Sequence, residues 1–152
     1  NTGDDILTNT AKVVEGCQAV KSVSRFPIIL KLSVVHEVEK IVKEVEGIVE
    51  AFSINSVPWQ VVFPEQASPF ERLGGGGVSG KIAQPFTWQL VKKLSEITAI
   101  PVISPSVWDF EDIAKLRNLG AKAISFGAVF LRYPWRPNLF IRQDRQNKME
   151  RR

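Results

Sequence analysis

One cysteine, one histidine, one methionine and one tyrosine occur in 152 residues, and these scarcities remove whole classes of function. A lone Cys17 makes no disulfide within the chain, and with a single histidine it makes no zinc cluster, so no metal site is expected. Cys17 falls between Val13, Val14 and Val20 at helical spacing, which marks it as a core residue rather than a reactive thiol. His36 follows Val34 and Val35 at the opening of a helical pattern, where a capping or surface role is expected. No run of about 18 apolar residues is present, so no transmembrane segment is expected. The opening Asn1-Thr2-Gly3-Asp4-Asp5 is polar and acidic, unlike a secretory leader. The only methionine is Met149, so the chain does not open with one and is expected to be a processed product or a fragment. A reducing, cytoplasmic setting is the expectation from this cysteine usage.

Charge is unevenly placed. From Arg132 onward the basic residues are Arg132, Arg136, Arg142, Arg145, Lys148, Arg151 and Arg152, against only Asp144 and Glu150. This stretch therefore carries a surplus of five positive charges within a net charge of +4, and the rest of the chain is about neutral. A basic tail of this kind holds nucleic acid or acidic lipid, or is a solvated terminal helix. No aromatic residues interleave its last ten positions, so the solvated helix is favoured and nucleic acid is not expected.

Apolar residues switch repeatedly between two periods. Val13, Val14, Cys17 and Val20 mark a helix with Thr8 or Thr10 as N-cap, followed by a strand over Ile28–Leu32. Val38, Ile41, Val42 and Val45 mark a second helix closed by Gly47, and Ile48–Ile54 the next strand. Residues 55–84 are expected to form a long loop containing four consecutive glycines. Phe86, Leu90, Leu94 and Ile97 then form a helix, Pro101–Ile103 a strand, and Asp109 with Asp112 a capped helix ending at Gly120. Lys122–Phe126 is a fourth strand. Strand and helix alternate, which predicts an α/β fold with parallel strands and right-handed crossovers. In the second strand Ala51, Ser53 and Asn55 share a face opposite Phe52 and Ile54, and in the fourth Ala123, Ser125 and Gly127 oppose Ile124 and Phe126. A small, polar face opposite a bulky one suits strands packed outside on helices and facing a ligand inside. This favours a barrel, and four strands are half of a (β/α)8 TIM barrel, which takes about 250 residues. The expected division is residues 1–130 as the C-terminal half of a barrel and residues 131–152 as a basic helix or tail.

Several residues could carry chemistry. Lys31 lies in an apolar strand near its C-terminal edge, where an ammonium either meets an anion or snorkels to solvent. Asn55 ends a strand, offering its amide to a planar polar ligand or starting a turn with Ser56. The run from Gly74 to Gly80 lets backbone N–H groups approach a phosphate or a cofactor edge, although flexible linkers look alike; Ser79 and Lys81 strengthen the first option. Ser104-Pro105-Ser106-Val107-Trp108-Asp109 and Gly127-Ala128 are adjacent strand-to-helix junctions, the place where barrels hold phosphates.

Taken in order, these segments resemble the dihydroorotate dehydrogenases. Asn1-Thr2-Gly3 is similar to the end of that family's S-S/C-P-N-T-x-G loop, and Ile29-Leu30-Lys31-Leu32-Ser33 to its V-K-L/I strand. Ile54-Asn55-Ser56 resembles its pyrimidine-binding strand end, and Gly76-Gly77-Val78-Ser79-Gly80 with the following Pro85 resembles its G-G-L/I/V-S-G motif. Ile100–Ile103 with Glu111-Asp112, and Leu119–Ala121 with Phe126–Ala128, are similar to the motifs that follow. Two departures stand out. The family's G-x-G-G-I phosphate turn reads Ser104-Pro105-Ser106-Val107-Trp108 here, one residue shorter before Glu111-Asp112, and its last Thr is Ala128.

The resemblance implies an FMN oxidoreductase that converts dihydroorotate to orotate in pyrimidine synthesis. It implies FMN held by Lys31, Gly76, Gly77, Ser79, Gly80, Ser104, Ser106, Gly127 and Ala128, and the pyrimidine held by Asn1, Asn55 and Ser56. The family's catalytic base, the Ser or Cys preceding P-N, removes the C5 proton while hydride leaves C6. It would lie upstream of Asn1, so no catalytic residue is expected within this chain, which would need the N-terminal half of its barrel and could pair with a second copy through open edges. Quinone, fumarate and NAD as electron acceptors are not distinguished. The alternatives are a barrel-derived protein that has lost FMN and binds a phosphate ligand or partner, and a tRNA dihydrouridine synthase, against which the Gly-Gly-Val-Ser-Gly motif argues.

Overall fold

In the computed structural model, which describes residues 9–150 apart from the side chain of Lys148, helices alternate with short parallel strands. Helix α1 (Thr10–Val23) is not capped by Thr10. Asn9 caps it, its side-chain oxygen accepting from the Lys12 amide at 3.2 Å, and Thr10 is the first helical residue. Thr8 lies outside the described residues. Strand β1 (Ile29–Leu32), helix α2 (Val38–Val45) and strand β2 (Ala51–Ile54) follow. The second strand is shorter than the apolar run, because Gly47 at φ 75° turns the chain and the Ile48 and Val49 amides still bond to Val45.

The stretch expected as a plain loop contains structure. Strand β3 (Val57–Pro58) pairs antiparallel with β4 (Gly77–Val78), with the one-turn helix α3 (Trp59–Val62) between them. Helix α4 (Gln84–Ile97) starts with proline in its first turn, where the missing N–H costs nothing. Strand β5 (Val102–Ser104), helix α5 (Glu111–Asn118), strand β6 (Ala123–Ile124), helix α6 (Ala128–Arg132) and helix α7 (Arg136–Glu150) complete the chain. Helix α7 is docked rather than merely solvated. Phe140 is buried among Phe110 and Phe126, and Asp144 accepts a two-pronged bond from Arg117 at 2.5 and 2.8 Å.

The four principal strands are all parallel and lie in chain order, β1-β2-β5-β6. A doubly wound sheet reverses direction at a switch point; this one never does, and crossovers of a single hand then gather the helices on one face. Leu30 and Leu32, Phe52 and Ile54, and Val102 point to that face, packing against Val14, Cys17, Ile41, Val45, Val91, Leu94 and Leu116. Parallel sheets are normally covered on both sides. Here the opposite face carries the register row Lys31–Ser53–Ile103–Ala123, with Ile29 and Ala51 beside it. Lys31 and Ala123 are exposed, and Ile29 is 56% exposed. The flanks of both edge strands are apolar as well: Val23 and Phe26 precede β1, while Leu131 and Trp135 follow β6.

Candidate functional site

The strands deliver their C-terminal ends to one side of the sheet, and most of the expected site residues gather there. Lys31 stands on the open face, opposite Ser53 in register, and its ammonium has no partner among the described residues. Asn55 follows β2 directly. Its amide N–H donates to the Leu32 carbonyl at 2.8 Å, and its side-chain oxygen accepts from the Ser56 amide at 2.9 Å. The turn with Ser56 thus forms at the strand end itself. Asn1 lies outside the described residues.

His36, just beyond β1, caps no helix. Its Nδ1 accepts from the Ser33 amide at 3.1 Å, which places the proton on Nε2, a buried atom without a partner among the described residues, as is Ser33 Oγ. Burial pushes the imidazole pKa down and keeps the ring neutral.

The glycine loop closes partly on itself and partly on the two later junctions. Gly76, at φ 76°, backs onto the Phe70 ring, and the Ser68 hydroxyl donates to the Gly75 carbonyl. Gly77 and Ser79 are exposed. Gly80 is different. At φ 83° it is wedged between Trp108 and Ala128, and a Cβ there would stand 3.3 Å from each. The glycine loop, the β5–α5 junction and the β6–α6 junction therefore meet at one point. Gly127, next to that point, has open space where its Cβ would be.

The β5–α5 turn is held from within. Asp112, 4% exposed, accepts from the Trp108 and Asp109 amides at 3.0 Å each and from the Gln84 side chain at 2.8 Å. Gln84 also donates to the Ser106 carbonyl at 2.8 Å, tying the glycine loop to this turn. The expected order of capping is thus inverted: Asp112 reaches back to the turn, and Asp109 does not cap α5. Sequence reasoning missed Gln84 entirely, since nothing in its spacing signals a partner 28 positions away. Burial would raise the Asp112 pKa, but the hydrogen bonds from Asp109, Trp108, Gln84 and Lys115 outweigh it and hold the carboxyl below the usual range. This group stabilises the fold above the ordinary aspartate pKa, and its contribution is lost as pH falls through the lowered folded value. Denaturant melts at decreasing pH below about 4 should therefore show a loss of stability that Asp112→Asn removes.

Ser104 is buried on the helix side of the sheet, its hydroxyl donating to the Pro105 carbonyl, so its backbone and not its side chain approaches the open side. Ser106 adopts φ 66°, a left-handed conformation that costs a side chain about 1 kcal/mol. Ser106→Gly should relieve that strain, and an increase in unfolding free energy of up to about 1 kcal/mol is expected in urea melts; a decrease would mean that the hydroxyl makes a compensating bond. Among the described residues no metal-binding cluster occurs, and no helix is long and apolar enough to cross a membrane.

No protein-family model matches the chain. It is similar to the catalytic subunits of dihydroorotate dehydrogenase B (NAD(+)) from Enterococcus faecalis, at 28% identity over 122 residues, and from Caldicellulosiruptor bescii, at 30% over 122 residues. The match covers 78% of this chain in both cases, but only 39% and 41% of those proteins. The chain thus spans about two-fifths of the length of the curated relatives it matches. Among solved structures, a mutant of FabK from Thermotoga maritima overlaps 81% of this chain and 50% of its own length, at 16% identity and TM-score 0.30, a superposition too loose to fix fold or function.

Proposed function

We propose that this chain is the C-terminal half of a (β/α)8 barrel of the dihydroorotate dehydrogenase type, and that the complete protein is an FMN-dependent oxidoreductase converting dihydroorotate to orotate in pyrimidine synthesis. The observation that carries this is the open face of the sheet, where Lys31 stands without a partner among the described residues, in a row of small and apolar residues at the C-terminal ends of sequentially ordered parallel strands. The similarity to dihydroorotate dehydrogenase catalytic subunits supports the choice of chemistry. Residues 1–130 form the half-barrel on this account, with 131–152 as a basic terminal segment.

The residues present fit a flavin mononucleotide at two points and depart from it at a third. Lys31 offers a cation to the ring system, and Gly127, with open space where its Cβ would be, offers backbone to a phosphate. At the β5–α5 turn, by contrast, Asp112 already takes the Trp108 and Asp109 amides, and the Trp108 ring fills the space beside Gly80. FMN would be held by Lys31, the loop Gly76, Gly77, Ser79 and Gly80, the backbone of Ser104 and Ser106, and Gly127 with Ala128. When bound, it would accept the hydride from the substrate. Asn55, with Ser56 and Asn1, would orient the pyrimidine, and the proton-abstracting base would come from the other half of the barrel. Asn55→Ala should therefore lower turnover with dihydroorotate while leaving flavin bound; loss of flavin with substrate affinity intact would reverse these assignments.

The filled β5–α5 turn favours a second reading, a barrel-derived protein that binds a phosphate ligand or partner without flavin. Acid extraction of the full-length protein separates the two. Release of FMN in near-equimolar amount supports the oxidoreductase, and colourless protein that yields none supports the alternative.

A further inference from the structure

A charge surplus stands beside the point where the three loops meet. Asp109 is shared by two cations from different elements: Lys81 Nζ lies 3.2 Å from its Oδ2, and Arg136 Nη1 lies 3.5 Å from its Oδ1. Arg136 also donates to the Trp108 carbonyl at 3.1 Å and stacks 4.3 Å above the Tyr133 ring, over which Arg132 lies as well, at 5.5 Å. Two cations therefore share one carboxylate, and a third, Arg132, lies over the same Tyr133 ring as Arg136. An ammonium has three donors and a guanidinium five, so most of their donor capacity remains unspent. The usual way for such a turn to take an anion, through its own amides, is closed here because Asp112 occupies the Trp108 and Asp109 N–H groups.

We propose that Lys81 and Arg136, assisted by Arg132, form a side-chain anion site for a phosphate monoester, with Asp109 as the internal group that competes with it. Planar guanidinium donors fixed by stacking on Tyr133 match phosphate oxygens in geometry as well as charge. Two sources supply this chemistry: the phosphate of the cofactor, which rests on the flavin reading above, and a separate phosphorylated ligand.

Calorimetric titration of the full-length protein with inorganic phosphate at low ionic strength tests the site. Lys81→Ala and Arg136→Gln should each weaken phosphate binding about tenfold, as expected for loss of one charge-assisted contact. Asp109→Asn should tighten it several-fold, a change of opposite sign that a merely structural role would not produce. Lys92→Ala, which removes an exposed lysine of α4 elsewhere, serves as the control for general charge effects. If wild-type protein does not bind phosphate, if Asp109→Asn does not bind it more tightly, or if Lys92→Ala weakens it as much as Lys81→Ala, the site is overturned. Displacement of phosphate by FMN but not by riboflavin assigns it to the cofactor. Simultaneous binding of FMN and phosphate assigns it to a separate ligand. Phosphate binding without any FMN binding upholds the site while the flavin reading falls.

Discussion

Residues 1–152 expressed alone will self-associate or aggregate, and supplying the N-terminal half of the barrel will return them to a soluble, flavin-binding form. Among the described residues the sheet ends in two parallel strands, β1 and β6, each paired on one side only. Apolar side chains near both in sequence are exposed: Val23 86% and Phe26 71% before β1, Leu131 83% and Trp135 63% after β6. The open face adds Ile29 and the small residues of the Lys31 row. At about 25 cal/mol per Å2 these surfaces favour any contact that covers them. Barrel closure covers all three at once, since it pairs the edges and turns the open face inward. Size-exclusion chromatography with light scattering on the isolated chain checks this. A monodisperse monomer with a cooperative thermal transition would mean that these strands form a complete small α/β domain.

Lys31→Ala should weaken flavin retention in the full-length protein by about tenfold to a hundredfold, the equivalent of a charge-assisted hydrogen bond of about 1.5–3 kcal/mol. Lys31 lies on the face opposite the core, with no partner among the described residues, so its removal leaves no buried group unsatisfied. The substitution should thus change ligand affinity and leave thermal stability nearly untouched. Flavin fluorescence recovery on dilution gives the dissociation constant, and an unchanged constant would return Lys31 to the role of a solvated strand-end lysine.

Much of the architecture was legible because apolar periodicity is local. Val38, Ile41, Val42 and Val45 predict the helix that they form, and the alternation of Phe52 and Ile54 with Ala51 and Ser53 predicts which face of β2 is buried. What required the third dimension was less accessible. The β3–β4 hairpin has two-residue strands, one containing Pro58 and the other Gly77, so neither shows strand composition, and 18 residues separate Pro58 from Gly77. The cap of α1 fell to Asn9, a residue type preferred over threonine at that position. At the candidate site, the nearness of the β5–α5 and β6–α6 junctions was expected from the barrel order, and the packing of Gly80 against Trp108 and Ala128 was not. Nor was the use of Asp112 and Gln84 to brace the β5–α5 turn, since short polar side chains leave no periodic trace.

Anaerobic addition of dihydroorotate to the full-length protein, followed through the visible flavin spectrum, tests the central proposal most directly. The expected result is bound FMN whose absorbance bleaches as substrate is consumed and orotate appears in equal amount. A protein that carries flavin but stays oxidised with dihydroorotate, or one that carries none, would contradict it.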